Sequence, residues 1–239
     1  MSLPKLEHPI YELKIPSNKK TFRYRPYTVK EQKILLMLQD SSDVEELLSA
    51  FKDLISSCSL TEINLDKLTY FDLEYMFIKI RSKSVGEIST IRFKCNNIIE
   101  EKKCNHVTQI DINLDELTVD VPSKIKPIKI NDNVIIQMKY PNVNSTKLIE
   151  QYNSTRELNY LISAIIEDVD FISDSEKVYD DFSTEELKEF ISGLNLNIFA
   201  EILSFYVNTP KLSKKIDFKC EKCSHTDTII LSGINDFFE

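Results

Sequence analysis

The feature that most constrains the fold is a cysteine pattern that occurs twice in the chain. Ile91-Arg-Phe-Lys-Cys95 is matched by Ile216-Asp-Phe-Lys-Cys220. A second cysteine follows each of them in the frame Lys-Cys-x-His, at Cys104 and at Cys223. Because two copies of such a pattern rarely arise by accident, the repetition predicts an internal duplication. The alternative is two unrelated ribbons on a single domain.

The four cysteines of this pattern have the chemistry of a metal site. Cys220-Glu-Lys-Cys223 is a knuckle whose two intervening residues let both thiolates face one ion. Cys95 and Cys104 are separated by a longer loop, which still brings their sulfurs together if the flanking segments pair as antiparallel strands. The pattern predicts one structural zinc ion held by Cys95, Cys104, Cys220 and Cys223. A closed shell of four thiolates leaves no position for a reacting water, so the site is not catalytic.

The spacing alone leaves other arrangements of this site open. Two separate sites could recruit His106 and His225, which lie two residues after a cysteine. A degraded site would bind no metal, and an iron–sulfur cluster uses the same thiolates as zinc. Cys58 lies on the apolar stripe of a helix, and we predict that it is a core residue and not a ligand.

Both halves of the chain, residues 1–120 and 121–239, show the order hairpin, helices, ribbon. Alternating apolar residues predict strands at 10–15 and 21–27, and again at 126–130 and 134–140 around an Asn131–Asn133 turn. The acidic stretch Asp168–Asp181 is predicted to be an irregular surface excursion. Helix starts are predicted at the capping patterns Thr28–Glu31, Ser42–Glu45, Ser154–Glu157 and Ser183–Glu186, and near Asp72, Ser145 and Asn195.

These patterns predict an α+β protein made of two related units. Each unit is a β-hairpin plus helices that end in a zinc-ribbon-like strand pair. The first unit, 1–120, carries the Cys95/Cys104 ribbon, and the second unit, 121–239, carries the Cys220/Cys223 knuckle.

Composition excludes several classes of function. The three glycines stand alone, whereas phosphate loops and dinucleotide fingerprints need clustered glycine. The net charge of −8 argues against nucleic acid as the main partner, although Lys211, Lys214 and Lys215 could form a local basic patch. No apolar run is long enough for a membrane span. The start of the chain lacks the apolar core of a secretory signal, which predicts a reducing, intracellular setting where clustered cysteines bind metal.

The sequence carries no recognisable catalytic constellation. It has three histidines and lacks the motifs of serine hydrolases and zinc proteases. Acidic pairs such as Glu185-Glu186 fall at helix starts or in loops, where they complement the helix dipole. We therefore predict a protein that is not an enzyme and has no small-molecule substrate. The terminal Phe237-Phe238 is instead predicted to be a docking element, because aromatic anchors dominate interface energies.

Three segments resemble the baseplate protein family of T4-like bacteriophages. The first runs from Leu13-Lys-Ile-Pro-Ser17 through Phe22-Arg-Tyr-Arg-Pro-Tyr-Thr-Val-Lys-Glu31. The second and most specific is Phe71-Asp-Leu-Glu-Tyr-Met-Phe-Ile-Lys-Ile-Arg-Ser-Lys-Ser-Val-Gly-Glu87. The third runs from Phe218-Lys-Cys-Glu-Lys-Cys223 to Gly233-Ile-Asn-Asp-Phe-Phe238. The similarity covers most of the chain apart from Asn131–Asp181.

This resemblance implies a non-enzymatic role in the contractile tail. The protein would take part in forming the central hub of the baseplate, as a hub component or as an assembly chaperone. Its partners would be other tail and hub proteins, in the host cytoplasm during assembly and in the virion if the protein is retained. The alternative is a zinc-ribbon adaptor of a transcription or replication complex, because such a protein would share the metal-binding ribbons.

Overall fold

The computed structural model describes residues 6–38 and 44–237, and Ser42, the capping residue of the Ser42–Glu45 pattern, falls outside them. The helices are α1 Val29–Leu38, α2 Val44–Cys58, α3 Tyr70–Val85, α4 Val143–Thr155, α5 Leu158–Asp168, α6 Thr184–Ser192 and α7 Leu196–Val207. The strands are β1 Tyr11–Lys14, β2 Thr21–Tyr24, β3 Ile88–Lys94, β4 Ile98–Ile99, β5 Lys102–Lys103, β6 Val107–Asn113, β7 Ile128–Lys129, β8 Ile135–Met138, β9 Val169–Ser173, β10 Val178–Tyr179, β11 Ser213–Lys219 and β12 Thr226–Ser232. The fold is α+β, as predicted.

The chain forms two compact units that do not follow the halves 1–120 and 121–239. Unit 1 contains Met1–Ile63, Phe71–Asp120 and Lys211–Glu239. Unit 2 contains Asn64–Tyr70 and Val121–Pro210. The difference arises because the ribbon at the end of the second half packs with the ribbon of the first half in unit 1. The order hairpin, helices, ribbon is still present in each half, and the duplication itself stays a prediction.

Unit 1 begins with the predicted hairpin of β1 and β2, which pair antiparallel from Tyr11 with Tyr24 to Lys14 with Thr21. A carboxylate of helix α3 fixes the turn, since Asp72 accepts hydrogen bonds from the backbone N–H and the hydroxyl of Ser17. Tyr24 is almost fully buried in this unit. The hairpin is therefore attached to helix α3 of the same unit and is not a free-standing ribbon.

The rest of unit 1 contains two long ribbons of seven paired residues each. Strands β3 and β6 pair antiparallel from Ile88 with Asn113 to Lys94 with Val107. Strands β11 and β12 pair in the same way from Ser213 with Ser232 to Lys219 with Thr226. Both ribbons end at cysteines, and the short hairpin of β4 and β5 extends from the end of the first.

Unit 2 is built on a four-stranded sheet in the order β10-β9-β8-β7. Its first hairpin turns at Asn131, whose side chain accepts hydrogen bonds from the backbone N–H groups of Asn133 and Val134, as the sequence predicts for an Asx turn. Helices α4 to α7 complete the unit. Its core contains a cluster of twelve buried side chains: Ile128, Ile136, Met138, Leu161, Ile162, Ile165, Val169, Ile172, Leu187, Ile191, Ile198 and Ile202.

The stretch Asp168–Asp181 corrects one prediction, because it is not an irregular excursion. It contains β9, which pairs with both β8 and β10, and Asp168 itself is fully buried. Val169 and Ile172 face the core, and the acidic residues between and around them obscure this apolar pattern in the sequence. A strand inside a sheet was therefore mistaken for a surface loop.

The caps of the unit 2 helices are confirmed in part. Ser183 and Glu186 form the predicted capping box at the start of α6. The prediction at Ser154–Glu157 is wrong, because Ser154 lies inside α4, which ends at Arg156 in a left-handed conformation. The same helix is capped by Asn142 and not by Ser145.

Among the described residues, no single helix is long and apolar enough to cross a bilayer, while the strongly bent pair α6 and α7 reaches that length and composition only together.

Candidate metal centre

The four cysteines of the repeated pattern lie together in unit 1. Their sulfur atoms are all within 4.8 Å of one another. Cys95 Sγ is 3.7 Å from Cys223 Sγ, and Cys104 Sγ is 3.9 Å from Cys220 Sγ. Each of these two short distances joins one ribbon to the other. The site therefore connects segments that are far apart in the sequence.

The backbone positions the two cysteine pairs in the same way. The N–H of Cys95 donates to the carbonyl of His106, and the N–H of Cys220 donates to that of His225, each at 2.8 Å. The residue after the second cysteine, Asn105 or Ser224, then has a left-handed backbone, with φ of 54° and 58°. The two turns therefore match, although one pair is separated by two residues and the other by eight.

The extra residues of the first turn are accommodated by the hairpin of β4 and β5. This hairpin turns at Glu100 and Glu101, both in the left-handed region with φ of 46° and 65°. The N–H of Cys104 donates to the carbonyl of Asn97 at 2.8 Å, which closes the base of the hairpin. The wider spacing of the first pair is thus an insertion into a knuckle with the geometry of the second.

The sulfurs lie in a small buried cluster. Cys95, Cys104 and Cys220 are buried with Phe218, while Cys223 is only half-buried. Phe93 packs edge-on against Phe218, with ring centroids 4.7 Å apart. The rings and the ribbon strands therefore shield three of the four cysteines from solvent.

The thiols of Cys95 and Cys223 differ in pKa. The backbone N–H of His225 stabilises the Cys223 thiolate, and with help from the Asn97 amide it lowers the pKa of Cys223 to about 6. The pKa of Cys95 is raised to about 12, because burial and the neighbouring sulfurs outweigh the hydrogen bond from the backbone of Asn97. Four thiols this close cannot all ionise without a cation to balance them.

The geometry fits a tetrahedral thiolate site. At a zinc–sulfur bond length of about 2.3 Å, ideal tetrahedral geometry places neighbouring sulfurs about 3.8 Å apart. The Cys95–Cys223 and Cys104–Cys220 sulfur distances, 3.7 and 3.9 Å, lie on either side of that value. Four sulfur donors would close the coordination shell, so the bound ion would stabilise the fold and would not activate water.

The comparisons with known proteins point to one family. The model of the T4 bacteriophage base plate protein family matches residues 8–239. The chain belongs to this family. It is also 24% identical over 231 residues to the baseplate hub assembly protein gp26 of Enterobacteria phage T4, across 96% of this chain and 98% of the relative. No solved structure matches the chain.

The histidines of this base plate family protein do not join the sulfur cluster. The Nε2 atom of His106 lies 3.8 Å from a carboxylate oxygen of Glu221 and makes no hydrogen bond to any described residue. The candidate group contains sulfur atoms only. This geometry favours one shared site over two sites that each recruit a histidine. Cys58 is fully buried and lies outside the cluster, as predicted.

The C-terminal end of the base plate family protein corrects the docking prediction. Phe237 is fully buried, and its backbone carbonyl accepts a hydrogen bond of 2.5 Å from Ser89 Oγ. Phe238 lies outside the described residues. Phe237 therefore anchors the end of the chain in unit 1 and is not available to a partner.

One functional residue that the sequence reasoning missed is Asn97. Its side-chain amide lies 3.6 Å from Cys223 Sγ in donor geometry, while its backbone closes the β4–β5 hairpin. Asn97 lies between Cys95 and Cys104 in the sequence, and this spacing does not indicate a contact with Cys223 of the other pair. It becomes visible only once the two turns are seen to face one another.

Proposed function

We propose that this protein takes part in assembly of the central hub of a phage tail baseplate, as a hub component or as an assembly chaperone. It would act through contacts with other tail proteins, in the host cytoplasm while the baseplate forms. The observation that carries the proposal is the family match over residues 8–239. The nearly full-length similarity to a baseplate hub assembly protein supports the finer assignment to the hub. A non-enzymatic role agrees with this family.

Co-expression with the other tail proteins of the same genome tests the hub assignment. We expect the protein to co-purify with at least one hub protein. Mass spectrometry of finished tails then separates the two roles, because a component stays in the tail and a chaperone leaves it. Absence of any hub partner, together with tight and salt-sensitive DNA binding, would support the zinc-ribbon adaptor instead.

We infer further that Cys95, Cys104, Cys220 and Cys223 hold one structural zinc ion. Support comes from the four sulfurs within 4.8 Å of one another and from the matching turns that present them. The bound ion would supply positive charge that holds four thiolates together. The residues around it orient the sulfurs and exclude water, and no reaction is assigned to the site.

Metal analysis of protein purified without added metal tests the zinc assignment. We expect about one zinc ion per chain and no iron, which also separates zinc from an iron–sulfur cluster. The variant Cys220→Ser should lose the ion and the folding of the ribbons, whereas Cys58→Ala should keep its zinc. Less than about 0.3 zinc per chain, with folding unchanged in Cys220→Ser, contradicts the assignment because structural metal binding is coupled to folding.

A further inference from the structure

Unit 2 has an open groove between its sheet and helix α6. The groove has a volume of about 410 Å³. Its floor is apolar and contains Ile172 of β9 together with Leu187 and Phe190 of α6. Ile172 and Leu187 belong to the buried core, so the floor is held in place by the packing of the whole unit.

The rim of this groove is acidic. Asp174, Asp181 and Glu186 line it beside Tyr179, and we call the feature the acidic groove. The segment 170–189, which supplies most of its lining, contains eight Asp and Glu residues against two Lys. All eight acidic residues are at least partly exposed. The net charge of the whole chain is −8, so this one segment accounts for most of the excess negative charge.

Hydrogen bonds hold part of the rim in a fixed, charged state. Asp174 accepts from the backbone N–H groups of Glu176 and Lys177 at 2.8 Å, which lowers its pKa. Glu186 accepts from the N–H and the hydroxyl of Ser183, which lowers its pKa as well. The rim is therefore negatively charged at neutral pH without any rearrangement of these side chains.

The electrostatics of the acidic groove decide which class of partner fits it. An excess of carboxylates repels the phosphates of nucleic acids and of anionic lipids. It attracts lysine and arginine, and complementary charge of this kind both steers association and sets the register of a complex. The apolar floor requires the partner to bring apolar side chains as well, in the manner of an amphipathic helix in a groove.

We propose that the acidic groove binds a basic amphipathic segment of another baseplate protein. Apolar side chains of that segment would lie on Val134, Phe182 and Phe190, the half-exposed apolar residues of the groove, and its lysines or arginines would pair with Asp181 and the fixed carboxylates of the rim. This inference rests on the proposed function, because it names the chemistry of the partner in hub assembly.

A labelled model peptide tests the chemistry of the groove directly. The probe is a helical peptide with leucine on one face and lysine on the other, measured by fluorescence anisotropy at about 0.15 M salt, where surface charges are partly screened. Hydrogen exchange of the complex should show new protection in β10 and α6. A peptide with the same composition but no apolar face should bind at least about tenfold more weakly, because it cannot cover the floor.

Matched variants separate the groove from general attraction to an acidic protein. Asp181→Lys should weaken binding at least about fivefold, whereas Glu201→Lys, the same charge change at an exposed site outside the groove, should weaken it less than about twofold. Tyr179→Ala should also weaken binding, and Val178→Ala on the same strand should not. Equal losses in the two charge variants, or protection that maps elsewhere, would overturn the proposal.

The same variants distinguish this proposal from the proposed function. If wild-type protein co-purifies with a hub protein and Asp181→Lys loses that partner while keeping its thermal stability, the groove is the docking site. If Asp181→Lys and Tyr179→Ala both keep the hub protein, the groove proposal fails and the role in hub assembly stands. If the wild-type protein also captures no hub protein, the proposed function itself fails.

Discussion

The ribbons of unit 1 and the sheet of unit 2 are stabilised in different ways. The buried cluster around the ribbon ends contains only Phe218 and three of the cysteines. The cluster of unit 2 contains twelve apolar side chains from three strands and three helices. Two-stranded ribbons bury little apolar surface and are marginal alone in water. The comparison teaches that, of these two clusters, the thiolates are concentrated in the one with fewer apolar side chains.

The largest expected effect is the response of the two units to metal removal. Zinc-finger peptides gain about 10–16 kcal/mol on binding zinc at neutral pH, which is comparable to the whole stability of a domain. Chelation should therefore abolish amide protection in β3, β6, β11 and β12. Protection in β8, β9 and α5 should persist because their core contains no ligand.

Hydrogen exchange followed by mass spectrometry, with and without a strong chelator, measures this difference. The control is protein treated with the same chelator after the chelator has been saturated with zinc, so that it removes no metal. Equal loss of protection in both units would show that the metal stabilises the whole chain and would remove the contrast.

A substitution that creates a cavity in the core of unit 2 should have the opposite effect, because it destabilises unit 2 and leaves the metal site intact. Ile165 is fully buried, and Ile165→Ala should lower the free energy of unfolding by about 2–5 kcal/mol through lost contacts and a cavity. Zinc content should not change. Leu158→Ala on the same helix is the control, because Leu158 is 49% exposed and its truncation should cost less than about 0.5 kcal/mol. Denaturant unfolding and metal analysis of the same samples measure both quantities.

The sequence predicts those parts of the metal centre that depend on local signals. The repeated Phe-Lys-Cys frame identified all four cysteines, because each ribbon positions its own pair by short-range turns. The contact of Asn97 with Cys223 was not predictable, since it joins residues 126 positions apart. The fate of Phe237 was likewise hidden, because its burial depends on Ser89 and other distant residues of unit 1.

The fold was predictable where a signal is local and strong. The turn at Asn131 and the capping box at Ser183 both depend on side chains that bond to their own backbone neighbours. Strand β9 was missed because its burial is imposed by pairing with β8 and β10, which overrides its acidic composition. The Ser154 cap was wrong because the same residue pattern is tolerated inside a helix, where Ser154 Oγ donates to the carbonyl of Gln151.

Each unit also buries a carboxyl group whose pKa is raised by burial, and the pH dependence of stability should reveal it. In unit 2, burial raises the pKa of Asp168 to about 7, although Ser145 and Tyr206 donate hydrogen bonds to it. The native state then keeps a proton that the unfolded chain has lost above its ordinary pKa of 3.8. The stabilising contribution of neutral Asp168 is therefore complete below about pH 4 and is lost as the pH rises to about 7.

The variant Asp168→Asn should remove this pH dependence in unit 2, which amounts to at most about 1.4 kcal/mol per pH unit. In unit 1, burial likewise raises the pKa of Glu74 to about 7, and Glu74→Gln is the matched variant. Denaturant unfolding between about pH 4 and 7, with hydrogen exchange to assign the unit, checks both. A wild-type stability that rises with pH across this range in unit 2 would contradict the sign.

The smallest expected effect is confined to one helix end of unit 2. Ser183→Ala removes the side-chain oxygen that accepts from the N–H of Glu186, and it should lower the free energy of unfolding by about 1 kcal/mol. Ser192→Ala is the matched control, because the hydroxyl of Ser192 donates only to the carbonyl of Lys188 within the same helix and should be nearly neutral. Chemical denaturation of both variants measures the difference. Since α6 also forms one wall of the acidic groove, a loss at Ser183 with unchanged peptide affinity would show that the groove is formed by the core and not by the cap.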